Sequence, residues 1–130
     1  MGNVGKMVAN PFEGAASFHS ALRSFLRESE VAARSQALTP RQYVLLLQIG
    51  SAEQTTVSEL VELLALTQST VTELVQRAVR GGLVSRTPSP SDARVVHLRL
   101  TDEGRARLER VFDQLGGERH RLRAVIDNLD

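Results

Sequence analysis

Residues 67–104 decide the fold of this chain, and they read TQSTVTELVQRAVRGGLVSRTPSPSDARVVHLRLTDEG. The first part of this stretch has the spacing of an amphipathic helix, because apolar residues recur on one side: Val71, Leu74, Val75 and Ala78. The other side of the predicted helix is polar and carries Gln68, Ser69, Thr70, Thr72, Glu73, Gln76 and Arg77. One face is therefore expected to pack against a core, and the other is free to bind a partner.

A pair of strands is predicted directly after this helix. Gly81 and Gly82 end the helix, residues 83–87 favour a strand, and residues 95–100 alternate apolar with polar side chains as a half-buried strand does. The intervening sequence is rich in proline and serine, which is typical of a turn. The candidate contacts on this turn are Ser91, Asp92 and Arg94.

A capping box predicts a buried helix that begins at Pro40. Thr39 is the predicted N-cap and Gln42 closes the box, while proline is favoured at the first helical position. The residues that follow are apolar nearly all round, as in a buried helix, and we expect Gly50 to end it.

A second capping box, made by Thr56 and Glu59, predicts a short helix that ends near Ala65 or Leu66. Thr67 then caps the helix of residues 68–80, so only a short turn separates the two helices. Two short helices joined in this way are typical of a helix-turn-helix, and the strand pair after them makes it a winged helix-turn-helix.

The first and last helices carry apolar stripes that the winged helix-turn-helix between them, called here the central module, is too small to cover alone. We predict a first helix over about residues 11–35, and a helix capped by Thr101 that Gly116 and Gly117 interrupt after about four turns. The apolar face of the helix capped by Thr101 consists of Leu108, Val111, Phe112 and Leu115. A last helix follows, and the simplest partner for the terminal stripes is a second copy of the chain. The predicted dimer interface consists of Phe18, Leu22, Phe25, Leu122, Val125, Ile126 and Leu129.

The composition fits one domain. The chain has 130 residues, of which 42% are hydrophobic, which is enough for one core and too little for two catalytic domains. It has no cysteine, so disulfides, zinc–thiolate sites and thiol-based redox sensing are excluded. Because no apolar run is long enough to cross a bilayer and residues 1–14 are too polar for a signal peptide, we expect a cytoplasmic protein without membrane contact.

Positive charge is concentrated on the predicted helix and strand pair, although the net charge is only +1. Five arginines and two acids lie between residues 67 and 99, whereas residues 39–66 contain Arg41 against three glutamates. A basic surface of this kind is typical of nucleic-acid binding. Charge alone does not decide the matter, since arginines also occur on ordinary solvated surfaces.

Sequence patterns for catalysis or metal binding are missing. His19, His97 and His120 are isolated along the chain and have no partners at the spacing of metal ligands. The sequence also lacks a nucleophile elbow and a phosphate-binding glycine loop. We therefore predict that the protein is not an enzyme and uses neither a metal nor a cofactor.

Taken in order, these segments resemble the MarR family of bacterial transcription regulators. The resemblance rests on LTPRQY at residues 38–43, VSEL at 57–60, STVTELV at 69–75, GLVSR at 82–86 and SDARVVHLRLTDEG at 91–104. Together the motifs extend over residues 38–104, and their order and spacing argue against a chance match.

The resemblance implies a mainly α-helical protein with a small β-hairpin wing and with dimerisation helices at both ends. It implies an N-terminal dimerisation helix in residues 1–37, a winged helix-turn-helix in residues 38–101 and C-terminal dimerisation helices in residues 102–130. A homodimer of this kind would bind a pseudo-palindromic operator in double-stranded DNA, by default as a repressor, and a small-molecule effector would release it.

The resemblance also implies roles for particular residues. The helix of residues 68–80 would enter the major groove, where polar side chains can meet base edges. Its contacts would be Gln68, Ser69, Thr70, Thr72, Glu73, Gln76 and Arg77. Ser91 and Arg94 would lie at the minor groove with Asp92 holding Arg94 in place. Apart from the resemblance, Arg86 on its strand is a candidate phosphate contact. Phe18, Phe25 and Tyr43 would line the effector pocket.

Simpler explanations stay open for several of these residues. Thr67, Ser69 and Thr70 can serve only as capping residues, since helix N-termini favour them. Glu73 and Arg77 can pair within the helix.

The wing and the aromatic residues leave similar alternatives. Asp92 and Arg94 can stabilise the turn itself, and Arg86 can be merely solvated. The three aromatic residues of the predicted pocket can be core residues. A winged helix can also bind protein instead of DNA, although such a module would tend to have an apolar outward face on the helix of residues 68–80.

Overall fold

The computed structural model describes residues 10–129, which form six helices and one hairpin. In chain order these are α1 (Glu13–Ser35), α2 (Pro40–Ala52), α3 (Val57–Leu64), α4 (Gln68–Arg80), β1 (Val84–Pro88), β2 (Val96–Leu100), α5 (Asp102–Gln114) and α6 (Gly116–Asp127). The predicted fold class, mainly helical with a β-hairpin wing, is confirmed. Residues 1–9 of the expected N-terminal region and residue 130 lie outside the described residues.

Threonine side chains start the four helices of the central part of the chain. The backbone N–H groups of Gln42, Glu59, Thr70 and Gly104 donate to the hydroxyls of Thr39, Thr56, Thr67 and Thr101, over 3.1, 3.2, 3.2 and 3.0 Å. Each bond satisfies a donor that the first turn of a helix would leave free. The predicted N-caps are therefore present.

Of the two predicted capping boxes, only the first is complete. The Thr39 backbone N–H donates to Gln42 Oε1 over 3.1 Å, which closes that box. The side chain of Glu59 instead accepts from the buried hydroxyl of Thr55, 3.1 Å away. Thr55 is held there because its backbone exchanges two hydrogen bonds with Leu98 of β2, at 3.0 and 2.8 Å. The buried hydroxyl needs a partner, and the carboxylate supplies it.

Gly50 does not end α2, contrary to the sequence prediction. The helix continues to Ala52 and stops at Glu53, which has a φ of 63°. A Cβ at Gly50 would lie 3.0 Å from Leu100 Cδ1 and 3.0 Å from Leu108 Cδ2. Glycine therefore allows the close approach of β2 and α5, where a larger residue would make Leu100 or Leu108 shift, and it does not serve as the helix end.

The prediction that α2 is buried nearly all round is also wrong. Tyr43, Leu45, Leu46 and Ile49 are buried, but the Val44 side chain points outward and is 41% exposed. Although α2 packs against α1, α3, α4, α5 and β2, these neighbours leave the side that carries Val44 open to solvent.

The hairpin is antiparallel, with Val84 paired to Leu100 at its base and Pro88 paired to Val96 near its tip. Its first strand begins one residue later than predicted. The predicted alternation holds at Leu98, which is buried, but Val96 is exposed because the tip extends beyond the core.

The start of α5 lies against the link between α4 and the wing. The Thr101 hydroxyl donates to Gly82 O over 2.6 Å, and the Thr101 backbone N–H donates to Leu83 O over 3.0 Å. A Cβ on Gly104 would lie 2.9 Å from the Leu83 carbonyl carbon, closer than real contacts allow. Gly82 itself has a φ of 74°, which favours glycine. This junction fixes where the wing leaves the end of α4.

Helices α1 and α6 pack against each other, and α6 follows α5 after a break at Leu115. The predicted interruption is present, although Gly116 and Gly117 form the first turn of α6. Phe112, which belongs to the predicted apolar face of α5, is 47% exposed. The Arg119 guanidinium lies over the Phe112 ring, 3.5 Å from the ring centroid. Because of the helix break at Leu115, a cation from α6 and not the core packs against this ring.

Candidate nucleic-acid interface

Helix α4 is anchored by one face, as its sequence pattern predicts. Val71, Leu74, Val75 and Ala78 are all buried in the central core. Helix α3 packs beside α4, and Ala65 at their connection adopts a left-handed φ of 53°. The two helices with this tight turn form the expected helix-turn-helix.

The opposite face of α4, called here the polar face, has no apolar side chain. Thr70 and Thr72 are half-buried at its borders, and the remaining members are exposed: Gln68, Ser69, Glu73, Gln76 and Arg77. The structure thus brings all seven predicted major-groove residues onto one accessible surface. Their amide, hydroxyl, carboxylate and guanidinium groups can donate to or accept from base edges.

Hydroxyl groups at the start of α4 already bond to one another. Thr67 Oγ1 accepts from the Thr70 backbone and donates to Thr70 Oγ1 over 2.8 Å, and it lies 3.3 Å from Ser69 Oγ. Thr67 therefore has the capping role that was the simpler explanation for it. Because the Thr70 hydroxyl accepts in this arrangement, its own proton stays available to a further acceptor.

Glu73 and Arg77 form an ion pair along the helix, with Glu73 Oε1 3.3 Å from Arg77 Nη2. Both side chains are more than half exposed. A solvated pair at this spacing contributes only about 0.3–0.5 kcal/mol, so either partner can exchange it for another polar group at little cost.

Two open grooves flank the ridge that Glu73 forms on α4. The larger one, about 640 Å³, lies along the polar face and is lined by Gln68, Ser69, Thr72, Glu73 and Gln76. The smaller one, about 360 Å³, separates α4 from the start of α2 and is called here the α2–α4 groove. It is lined by Thr39, Pro40, Arg41, Thr70, Glu73, Leu74 and Arg77. Sequence reasoning missed Arg41, because along the chain it belongs to an otherwise acidic segment.

At the wing tip, Asp92 holds Arg94 by its backbone and by its side chain. Asp92 Oδ1 accepts from the Arg94 backbone N–H at 3.0 Å and from Arg94 Nε at 3.1 Å, and Asp92 Oδ2 accepts from Nη2 at 3.3 Å. The Arg94 side chain is nevertheless 90% exposed. An arginine that is oriented yet solvent-accessible is well placed to contact a nucleic acid.

The same bonds keep Asp92 ionised. Hydrogen bonds from the Arg94 side chain, and then from its backbone, lower the pKa of the Asp92 carboxyl below its ordinary value. A lowered pKa means that the contact is complete at neutral pH and is lost only as the pH falls through that lowered value. Ser91 lies in the same turn, where its N–H donates to Ser89 Oγ over 3.3 Å.

The remaining wing arginines differ in their surroundings. Arg86 is exposed on β1 opposite Leu98, which leaves the predicted phosphate contact accessible. Arg99 on β2 donates to Gln54 Oε1 over 2.7 Å. Gln54 was missed because it precedes Arg99 by 45 residues and no local pattern joins them.

Comparison with known proteins gives relatives of the same architecture. A sequence model described as MarR family matches residues 38–95. YsmB, an uncharacterised HTH-type transcriptional regulator of Bacillus subtilis (strain 168), is 30% identical over 110 residues, which cover 82% of this chain and 75% of YsmB. The HTH-type transcriptional repressor MdtR of the same organism is 36% identical over 77 residues, 59% of this chain, and the chain spans only 50% of MdtR.

Solved structures agree with these sequence matches. The crystal structure of wild-type apo MarR from E. coli has a TM-score of 0.72 at 27% identity, covering 89% of this chain and 84% of MarR. A mutant of E. coli MarR complexed with operator DNA has a TM-score of 0.70 at 27% identity, covering 89% and 81%.

The chain belongs to the MarR family. Membership places it among winged helix-turn-helix transcriptional regulators and not among enzymes, which confirms the family and class that its sequence motifs predicted. Among residues 10–129, no helix is long and apolar enough to cross a membrane.

The residues predicted to line an effector pocket in this MarR-family chain lie in different surroundings. Tyr43 of α2 is buried in the protein core, while Phe18 and Phe25 of α1 are half-buried. Burial raises the pKa of the Tyr43 hydroxyl, and the nearby Arg119 guanidinium of α6 opposes that shift. Neither groove beside α4 includes these three residues.

Proposed function

We propose that this MarR-family protein binds operator DNA with α4 in the major groove and Arg94 in the minor groove. The observation that carries the proposal is the pairing of a fully polar, accessible face on α4 with an exposed arginine that Asp92 holds at the wing tip. A helix fits the width of the major groove, and an arginine is attracted by the strong negative potential of a narrow minor groove.

Specificity is proposed to come from the polar face of α4. Gln68 and Gln76 carry amides that suit adenine, whereas Arg77 suits guanine if it leaves its pair with Glu73. The hydroxyls of Ser69, Thr70 and Thr72 can bond to bases or to phosphates. Arg86 and Ser91 are proposed as backbone contacts beside Arg94.

A homodimer is proposed as the binding species. Of the predicted interface residues, Phe18, Leu22, Phe25, Leu122 and Val125 are only half-buried in the single chain, and Ile126 and Leu129 are 43% and 36% exposed. Leu26 and Val31 on α1 are exposed as well. Covering these apolar side chains with the same surfaces of a second copy is favourable, and the two-fold symmetry that results matches a pseudo-palindromic operator. In this proposal residues 1–37 and 102–130 form the dimer, and residues 38–101 read DNA.

Repression and release are further parts of the proposal. MdtR, which resembles this chain over the central region, is a repressor, and occupying an operator is the simplest way to repress. A small-molecule effector bound near Phe18, Phe25 and Tyr43 would act where α1 packs against both α2 and α6. A regulator of this type works beside the chromosome, so we propose a cytoplasmic location.

The alternative, a winged helix that binds protein, has less support. The polar face of α4 offers no exposed apolar side chain, and a protein-binding helix would use such side chains as anchors. Its arginine and amides suit DNA better.

Gel-shift titration of intergenic DNA from the gene's own neighbourhood tests the proposal. Arg94→Ala should weaken binding to many sequences by about ten-fold per subunit, because each subunit loses one charged contact. Thr70→Ala or Thr72→Ala should instead relax the preference at particular bases. Unchanged affinity of Arg94→Ala would contradict the wing assignment, and equal binding of wild type to all sequences would contradict the operator.

A further inference from the structure

The α2–α4 groove has an arginine on each side that the two helices bring together from distant parts of the chain. Arg41 comes from the first turn of α2, and Arg77 comes from the last turn of α4. The groove also shares Thr70, Glu73 and Arg77 with the polar face, so it opens on the same side of the molecule. Whatever lies along α4 will pass this groove.

The charges of the groove do not cancel. Its one carboxylate, Glu73, is already paired with Arg77 at 3.3 Å. Arg41 is exposed, and within residues 10–129 it forms no ion pair. The groove therefore holds about one uncompensated positive charge, carried by a side chain that binds phosphate readily.

We propose that Arg41 binds a backbone phosphate of the operator at the edge of the major groove, and that this contact fixes the register of α4. The inference rests on the proposed DNA-binding function and adds an anchor from outside the helix-turn-helix. Phosphate contacts position a protein on the duplex without reading sequence. Arg41 thus complements Arg94, since the two guanidiniums lie on different elements, α2 and the wing.

DNA phosphate is a better occupant than a small free anion. The groove is open to solvent, so it offers little enclosure for a small molecule. A duplex that is already held along α4 supplies its phosphates at high effective concentration, and the single free charge of Arg41 is then sufficient.

The test compares Arg41→Gln with Arg27→Gln by measuring operator affinity over a range of salt concentrations. Arg27 is an exposed arginine on the side of α1 opposite the predicted interface residues Phe18, Leu22 and Phe25, and it lines neither groove, so its variant removes the same charge elsewhere. Arg41→Gln should lower affinity roughly ten-fold and reduce the salt slope by about 0.9 per subunit. Arg27→Gln should leave both nearly unchanged. Equal effects of the two variants would overturn the proposal, because general attraction would then explain them.

Operators with single methylphosphonate substitutions identify the phosphate itself. One position per half-site should weaken wild-type binding about ten-fold and leave binding of Arg41→Gln unchanged, because the contact is already missing there. Additive effects at every position would contradict a specific contact. Circular dichroism should show that Arg41→Gln keeps its helices, since the Thr39–Gln42 box does not use the Arg41 side chain.

The outcomes separate this inference from the proposed function. If wild type has no preference for an operator, the function itself fails. If wild type binds its operator and Arg94→Ala weakens it, but Arg41→Gln keeps wild-type affinity and slope, only the Arg41 contact fails.

Discussion

Many apolar side chains are buried within one chain in the central module, residues 38–101, whereas many on the terminal helices stay exposed. In the central module, Leu45, Leu46, Ile49, Leu60 and Val71 are fully buried within one chain. Helix α6 has no buried residue, and both Ile126 near its end and Leu129 just after it are exposed although they are large and apolar. The helix starts divide in a related way: threonines cap α2, α3 and α4 and also α5, which packs on the central module, whereas α1 and α6 have no side-chain cap.

In the proposed function, the two regions therefore have separate roles. The module that presents the polar face of α4 and Arg94 is completed by contacts within a single chain. The terminal helices, in contrast, leave apolar surface that a second copy can cover, so the distance between two reading helices depends on assembly. Changes in the central module should therefore alter folding, and changes in the terminal helices should alter association.

The largest expected effect comes from Gly104→Ala, which strikes the junction between α5 and the wing. The added methyl group would overlap the Leu83 carbonyl, and backbone cannot move aside as a flexible side chain can. We expect the free energy of unfolding to fall by about 3 kcal/mol, measured by urea denaturation at fixed protein concentration.

Gly117→Ala in α6 is the matched control. A Cβ there meets nothing within 4 Å, so stability should change by less than about 1 kcal/mol. Equal stability of the Gly104→Ala and Gly117→Ala proteins would contradict the close packing of α5 against the link between α4 and the wing.

A second change, Ile126→Glu, tests the terminal helices. The side chain is 43% exposed in the single chain, so the fold should tolerate the charge, whereas a dimer interface would bury it unpaired. Sedimentation equilibrium should show the dimer dissociation constant raised by at least about 100-fold. Val44→Glu places the same charge at a similarly exposed valine on α2 and should leave association unchanged. A fully dimeric Ile126→Glu protein would place the interface elsewhere.

The smallest expected effect is that of Thr39→Ala, which removes the cap of α2. The free energy of unfolding should fall by about 1 kcal/mol, because the Gln42 N–H loses its acceptor. Thr39→Ser keeps the hydroxyl and should recover most of the loss in the same denaturation experiment. Equal loss in both variants would mean that packing of the threonine methyl group, and not the cap, is responsible.

Local features of the sequence predicted the elements well. Thr39, Thr56, Thr67 and Thr101 mark helix starts because capping involves residues only a few positions apart. The spacing of Val71, Leu74, Val75 and Ala78 predicted the buried side of α4, and hence its polar face.

Long-range contacts could not be predicted in this way. Gly50 resembles a helix end in the sequence, yet its role is set by Leu100 and Leu108, far along the chain. Arg41 reaches the polar face of α4 only because α2 and α4 pack together. Phe112 fits the apolar pattern of α5, but the break at Leu115 brings Arg119 over its ring. Such contacts depend on tertiary structure that no short window contains.

In this proposal, the distance between the two half-sites depends on how the terminal helices assemble into a dimer. Helix α5, which links the wing to α6, is 13 residues long. The most direct test is the affinity of the wild-type protein for a series of operators whose half-sites are separated by about 8 to 13 base pairs. We predict a clear maximum near one helical turn, about 10–10.5 base pairs, with two chains bound per operator. Affinity that is independent of spacing and equal to that of a single half-site would contradict a dimer that holds two reading helices in register.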